Sequence, residues 1–324
     1  MRESIAAKKI SSGGIALLMV LWAITLLMVI VFSFSALCRT ETFAALGFRE
    51  MVEKKNLAEA GIERALIEIL FRNQKSQDDL AEAWRTDGTP YTVEIGNGHC
   101  SVRITGESGK IDINMLTDAS GIILHNLLVM RGATSEEADT IVDSLLDWRD
   151  SGDSDAHRLH GAETDYYQSL PVPYAAKNDS FNTVEELLLV KGMTQEILFG
   201  SGERKGVFDL LTVHAGTAKI NINAAPVEVL AAIPGIGREY AELIVSERGN
   251  RGSYTMADLQ GIIGQGYTSA SLFLAATETR TYTIDSFGYK ESGKAGFAVK
   301  ATVTFAENNR YRYLYYKSPI RAVQ

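Results

Sequence analysis

Residues 11–25 read SSGGIALLMVLWAIT, and the run that opens at Ile15 meets no charged side chain before Arg39. From Ile15 to Leu37 that is about 23 residues, roughly 35 Å of helix, enough to cross a bilayer core. A secretory h-region is shorter, so the segment is expected to stay in the mature protein. Gly13 and Gly14 precede the run, where signal peptidase would need small residues after it. Cleavage at Gly14 would leave the helix attached, with Ile15 as the first mature residue; an ordinary signal anchor with incidental glycines reads the same way. Arg2, Lys8 and Lys9 outweigh Glu3. The positive-inside rule therefore keeps residues 1–14 in the cytoplasm and exports the chain beyond Arg39.

Beyond Arg39 the stretch ETFAALGFREMVEKKNLAEAGIERALIEILFRN has no proline and is rich in Ala, Leu and Glu, so the helix is expected to continue to about Arg72. Ala58, Ile62, Ala65, Leu66 and Ile69 fall on one face, with Glu53, Arg64 and Glu68 opposite. Such a stem should pack on a sheet. YTVEI and CSVRI alternate around Gly96-Asn97-Gly98 as a hairpin, and GKIDIN begins another strand. TYTIDSFGYK, AGFAVKATVTF and YRYLYYKSP alternate again near the end of the chain. One antiparallel sheet built from both sets, with residues 114–278 inserted as a helical domain, makes the fold α+β.

The insertion repeats itself. GKIDINMLTDASGIILHNLLVMRGATSEEADTIVDSLLDWR runs parallel to AKININAAPVEVLAAIPGIGREYAELIVSERG: a strand-like IDIN or ININ, a helix, a glycine turn and a second helix. NTVEELLLVKGMTQEILFG reads as a further helix, turn and helix, with Asn182 or Thr183 as cap. Around Gly235-Ile236-Gly237 the sequence resembles a helix-hairpin-helix, whose turn amides bind DNA phosphate in some proteins. Arg238, Arg248 and Arg251 are offset by Glu228, Glu239, Glu242 and Glu247, so packing is favoured over nucleic-acid binding. The formal charge of -8 becomes about -10 once residues 1–14 are removed. That balance repels phosphate backbones and suits divalent cations or basic partners.

DWRDSGDSDAHRLHGAETDYY, residues 147–167, concentrates Asp147, Asp150, Asp153, Asp155, Glu163 and Asp165. Loop carboxylates are the hard oxygen ligands that Ca²⁺ takes, although the spacing is not that of an EF-hand and a solvated acidic loop is the plain alternative. Trp148, Tyr166 and Tyr167 point to a loop tied into a core. His157 and His160 have no cysteine partner nearby, which disfavours zinc. Cys38 and Cys100 read as unpaired. No nucleophile with its base, P-loop or dinucleotide fingerprint is present in the sequence, so no enzymatic activity is expected.

The leader with Gly14, the LAEAGIERAL stem, the 147–167 loop, FNTVEELLLVKGMT and ININAAPVEVLAAIPG, in that order, resemble the K-type minor pseudopilins of type II secretion. The usual pilin glutamate at the fifth mature position is Met19 here, and this family characteristically lacks it. The resemblance implies cleavage between Gly14 and Ile15 by prepilin peptidase, methylation of the new terminus, and a single span in the inner membrane with the bulk periplasmic. It divides the chain into leader (1–14), transmembrane helix (15–37), stem (38–72), a pilin-like α+β body (73–113 and 279–324), and two inserted SAM-like, helix-hairpin-helix-like subdomains (114–216 and 217–278). It also implies calcium in the insertion, with Asp150, Asp153, Asp155, Glu163 and Asp165 as the candidate ligands. Implied partners are the I-type and J-type minor pseudopilins and the inner-membrane secretion platform. The implied work is to nucleate the pseudopilus at its tip in support of protein export, without turnover. The competing reading is a membrane-anchored helix-hairpin-helix DNA-binding protein of the competence-receptor kind.

Overall fold

The computed structural model describes residues 12–74, 83–150, 157–251, 253–290 and 296–320. The chain divides into two units, residues 1–55 and 56–324. Helix α1 (Ser12–Gln74) begins in the first and ends in the second.

In the first unit every side chain from Ile15 to Met51 is exposed. Among the described residues, α1 is the one helix long and apolar enough to cross a membrane. Its threonine hydroxyls bond within the helix. Thr25 Oγ1 donates to Trp22 O at 2.9 Å, which removes the cost of placing an unpaired hydroxyl in hydrocarbon, and Thr42 Oγ1 donates to Cys38 O at 2.7 Å. Cys38 is a free, exposed thiol.

In the second unit five strands form one antiparallel sheet: β1 (Asp87–Ile95), β2 (Gly98–Gly106), β3 (Thr281–Tyr289), β4 (Phe297–Phe305) and β5 (Tyr311–Lys317), ordered β1-β2-β3-β4-β5. Gly96, at φ 59°, opens the two-residue loop between β1 and β2, a conformation glycine adopts without steric cost. The predicted stem face packs as expected. Ala58, Ile62, Ala65, Leu66 and Ile69 are buried against Cys100, Val102, Ile104, Ile284 and Val299 of the sheet. Gly61 sets the closeness of that approach: a Cβ there would lie 2.9 Å from Val102 Cγ2 and 3.1 Å from Cys100 Sγ. Glu68, expected opposite the packed face, is buried and ion-paired with Arg64.

GKIDIN does not extend the sheet. Ile111–Asp112 forms a two-residue parallel bridge with Leu211–Thr212. Asp112 spends its carboxylate on loop amides, accepting from Asn114 N at 2.9 Å and Gly216 N at 2.7 Å. The alternation in IDIN is therefore the signature of an Asx turn as much as of a strand.

The insertion between β2 and β3 carries α2 (Gly121–Met130), α3 (Ser135–Arg149), α4 (Thr164–Gln168), α5 (Gln195–Phe199), α6 (Val227–Ala232), α7 (Gly237–Arg251) and α8 (Met256–Ile263). Its repeat is real at the level of hydrogen bonds. Ile220–Asn221 pairs in parallel with Leu274–Ala275, as Ile111–Asp112 does with Leu211–Thr212. Asn114 brackets Phe181, accepting from its N at 2.7 Å and donating to its O at 2.9 Å; Asn223 brackets Tyr254 in the same way, at 2.6 and 3.0 Å. The turns after α2 and α6 use Gly132 at φ 89° and Gly235 at φ 91°. Both halves share one hydrophobic core. The stretch NTVEELLL forms a 3-10 helix, Val184–Leu189, with no side-chain cap from Asn182 or Thr183. The cap lies one element on, where Thr194 Oγ1 accepts from Ile197 N at 3.2 Å at the head of α5.

Candidate functional site

The acidic loop leaves the end of α3. A capping box at Thr134 and Glu137 fixes the start of that helix, and Ala138, Ile141, Leu145, Leu146 and Trp148 bury one side of it. Asp147, on its last turn, is buried with its carboxylate, and Arg158 returns from the far end of the loop to meet it. Arg158 Nη1 lies 2.7 Å from Asp147 Oδ1 and 2.8 Å from Asp150 Oδ2, and Nε lies 2.6 Å from Asp118 Oδ1. The Arg158 amide also donates to Asp147 Oδ2 at 3.2 Å. Hydrogen bonding to Asp118, Asp150 and Asp147 holds the guanidinium pKa above its ordinary value, against the opposing effect of burial. Gly161 packs directly against the Asp147 carboxylate, where no Cβ would fit.

Of the five predicted ligands, Asp150 is exposed at the C-cap of α3, Glu163 is half-buried at the N-cap of α4, and Asp165 is exposed in the first turn of α4. Asp153 and Asp155 lie outside the described residues. Among the described residues, no three His, Cys, Asp or Glu side chains are disposed to hold a metal ion. Burial, followed by the carboxylates of Asp147, Asp150 and Asp165, pushes the Glu163 carboxyl above the usual glutamate range. Oxygen donors that repel one another around a loop fit a hard divalent cation.

The aromatic residues do tie the loop down. Tyr167 is buried, edge-on to Trp148 at 4.9 Å and stacked on Tyr174 at 5.3 Å. Lys191 Nζ donates to the carbonyls of His160 and Gly161 at 3.2 and 3.0 Å and sits 5.0 Å above the Tyr166 ring. His160 pairs with Asp143 at 3.4 Å. Arg158 and Lys191, the two cations that organise the loop, were not singled out by sequence reasoning. Arg158 could have been, because it is the single Lys or Arg between Asp150 and Tyr167.

Gly14 lies within α1, and Ile15 beside it is 58% exposed; residues 1–11 of the predicted leader are outside the described residues. At the other candidate site, the Gly235 turn is packed against backbone. A Cβ on Gly235 would lie 3.1 Å from the Gly266 carbonyl carbon. Arg238 pairs with Glu242 at 2.8 Å, and Arg248 is buried with its Nη1 on the carbonyls of Ile222 and Ala225. Two of the three arginines a phosphate-binding reading would need are thus engaged within the protein.

A long apolar-to-amphipathic helix laid on an antiparallel sheet, with a helical domain inserted between two neighbouring strands, defines a membrane-anchored, pilin-like α+β protein. The family model for type II secretion system protein K matches residues 109–199, which is the first repeat and the acidic loop. Type II secretion system protein K of Pseudomonas aeruginosa is 29% identical over 238 residues, 72% of this chain and 69% of that one. Its counterpart in Pectobacterium carotovorum is 22% identical over 269 residues, covering 76% and 78%. The fold is that of a chain in the crystal structure of the GspK-GspI-GspJ complex of the enterotoxigenic Escherichia coli type 2 secretion system, with a TM-score of 0.57 at 16% identity over 86% of this chain and 99% of that one. The family model, the curated relatives and the fold together support a type II secretion system protein K, a minor pseudopilin, as what this chain is similar to.

Proposed function

We propose that this minor pseudopilin sits at the tip of the type II secretion pseudopilus, nucleates its assembly with I-type and J-type minor pseudopilins, and so supports protein export across the outer membrane. The observation that carries the reading is the insertion itself: residues 114–278, about 165 residues carried between β2 and β3, larger than many whole domains. A subunit repeated along a close-packed shaft needs neighbours on every side, whereas an end subunit can carry such bulk on its free face. Met19 agrees, because it offers no carboxylate to a neighbour's terminal amine. The related complex in enterotoxigenic Escherichia coli supports the choice of partners. In this reading residues 1–14 are cytoplasmic, prepilin peptidase cuts between Gly14 and Ile15, the new terminus is methylated, and the rest of the chain beyond the inner membrane is periplasmic. The role is architectural, without catalysis.

Calcium belongs to the same proposal. Asp150, Asp153, Asp155, Glu163 and Asp165 would supply its oxygen ligands, and the ion would neutralise the loop and cross-link its two ends. Labelling of isolated pseudopili with a probe against the insertion tests the placement. Signal at one end is expected, and signal repeated down the shaft sinks it.

A further inference from the structure

The two edges of the five-stranded sheet are not alike. At β1 the edge is closed. Pro90 has no N–H to offer, and the register slips between Asp87 and Pro90. Trp84 stacks on Tyr91 at 4.6 Å, and the Arg85 amide donates to Tyr91 Oη at 2.9 Å. At β5 the edge is open. The strand pairs with β4 on one side, and among the described residues no backbone group pairs with the other. A bulge at Leu314 leaves three residues in regular pairing on either side of it, Tyr311–Tyr313 and Tyr315–Lys317.

The side chains of β5 sort by face. Toward the stem, the exposed Tyr311, Tyr313 and Tyr316 pack edge to face, with centroids 5.7 and 6.0 Å apart. Their position is set from below: Tyr313 Oη lies 3.5 Å from Glu63 Oε1, and Tyr316 Oη lies 3.2 Å from Glu59 Oε1. On the other face Arg312 and Lys317 are exposed, and neither has an ion-pair partner among the described residues. Lys317 stands opposite Lys300 in the ladder, and like charges directly opposite repel. Lys300 already engages Asp285 at 3.3 Å and Asp209 at 3.7 Å. Glu185, which borders a small cavity beside Leu314 and Tyr315, pairs with neither free cation. The strand itself, YRYLYYK, carries no carboxylate.

We propose that β5 receives an added strand, an extended segment of a partner protein that alternates acidic and apolar residues. Its backbone would hydrogen-bond along the open edge, with its carboxylates beside Arg312 and Lys317 and its apolar side chains beside Tyr311, Tyr313 and Tyr316. An added strand lies about 4.8 Å away and alternates faces with the same period of two, so one register places both sets of side chains. Charges alone guard many edges against pairing. Exposed tyrosines on the same strand do the opposite, because they offer the large, amphipathic surface in which interfaces are enriched. A second copy of β5 is a poor occupant, since it would set the cations of one strand against those of the other.

The test uses the full chain in detergent micelles and fluorescence anisotropy with three labelled heptapeptides. One alternates glutamate and valine, one alternates lysine and valine, and the third is the glutamate peptide N-methylated throughout, which keeps its charges and loses its N–H groups. The glutamate peptide should bind about tenfold tighter than either of the others. Arg312→Glu combined with Lys317→Glu should remove its advantage over the lysine peptide, and both side chains are exposed, so the variant should melt like the parent. Hydrogen exchange on the unaltered chain gives an independent reading: the glutamate peptide should protect amides within Tyr311–Lys317. Equal binding of the glutamate and lysine peptides, or binding of neither, overturns the proposal. Undiminished binding of the methylated peptide, without protection of β5, reduces it to plain charge attraction and overturns the added strand. A dimer of the full chain that blocks the peptide would assign the edge to a second copy instead.

Discussion

Arg149 and Arg248 do the same work in the two repeats, each turning back from the end of a repeat's second helix to the carbonyls just past its IDIN or ININ bridge. Arg149 Nη1 donates to Ile113 O at 2.8 Å and Nη2 to Leu116 O; Arg248 Nη1 donates to Ile222 O at 3.1 Å and Ala225 O at 2.8 Å. Burial lowers both guanidinium pKa values, and Asp87 on β1 lies 3.4 Å from Arg248 Nε.

Replacing either arginine with methionine preserves the bulk and strands the carbonyls. A buried acceptor left unpaired costs about 1–3 kcal/mol, so each variant should be destabilised by roughly 2–5 kcal/mol. Arg248→Met should be the worse of the two, because it also deprives Asp87 of a cation. Chemical denaturation of the full chain in micelles checks the order; equal or negligible effects would remove the clamp role.

The repeat was legible because its clamp residues sit inside the visible motifs: IDIN, ININ, the glycine turns and the closing arginines. The sheet strands were legible from strict alternation, and the stem face from Ala58 to Ile69. The Ile111–Asp112 bridge was misread because two residues of alternation look alike in a ladder and an Asx turn. The 3-10 conformation of Val184–Leu189 has no periodicity of its own at that length. Arg158 was hidden for a different reason. A loop of acids reads as a cation site, and the one arginine between Asp150 and Tyr167, the sign that the chain supplies a cation itself, is outnumbered there by carboxylates.

Gly61 gives the second prediction. The stem crosses the sheet where Val102, Cys100 and Ser286 leave room only for hydrogen. Gly61→Ala raises helix propensity by about 1 kcal/mol, but overpacking of a close contact costs about 1–3 kcal/mol. The net effect should be a loss, and Gly61→Val a larger one. A rise in melting temperature for Gly61→Ala would mean that α1 can shift off the sheet without cost.

Glu107 should make stability acid-sensitive. It is buried beyond the end of β2, paired with Lys110 at 2.7 Å and hydrogen-bonded by Thr212. Burial alone would raise its pKa, yet Lys110 together with the hydroxyls of Thr212 and Thr283 holds it below the ordinary value of 4.5. A depressed carboxyl stabilises the fold above its unfolded pKa, and that contribution disappears as pH falls through the lower folded pKa. Glu107→Gln should therefore cost about 1–3 kcal/mol at neutral pH, with a shallower decline of melting temperature below pH 4.5. A parallel decline in both proteins would assign the acid limb to other carboxylates.

Glu163 tests the calcium proposal by a change of sign. Its folded pKa is raised, by burial and then by Asp147, Asp150 and Asp165. Ionised Glu163 therefore opposes folding when no cation is present, and relief comes as pH falls through the folded value. In chelator at neutral pH, Glu163→Gln should raise the melting temperature, since it removes one of the mutually repelling charges. With calcium in excess the same substitution should lower it, because a ligand oxygen has lost its charge and the ion binds more weakly. For the parent, calcium at a hundredfold above its dissociation constant should add about 2.7 kcal/mol. Arg158→Met should steepen this dependence, since Asp118, Asp147 and Asp150 would then lack their shared cation. If Glu163→Gln moves the melting temperature in the same direction with chelator and with calcium, Glu163 is not a ligand. If calcium moves neither protein, the loop is a solvated acidic segment held together by Arg158 and Lys191.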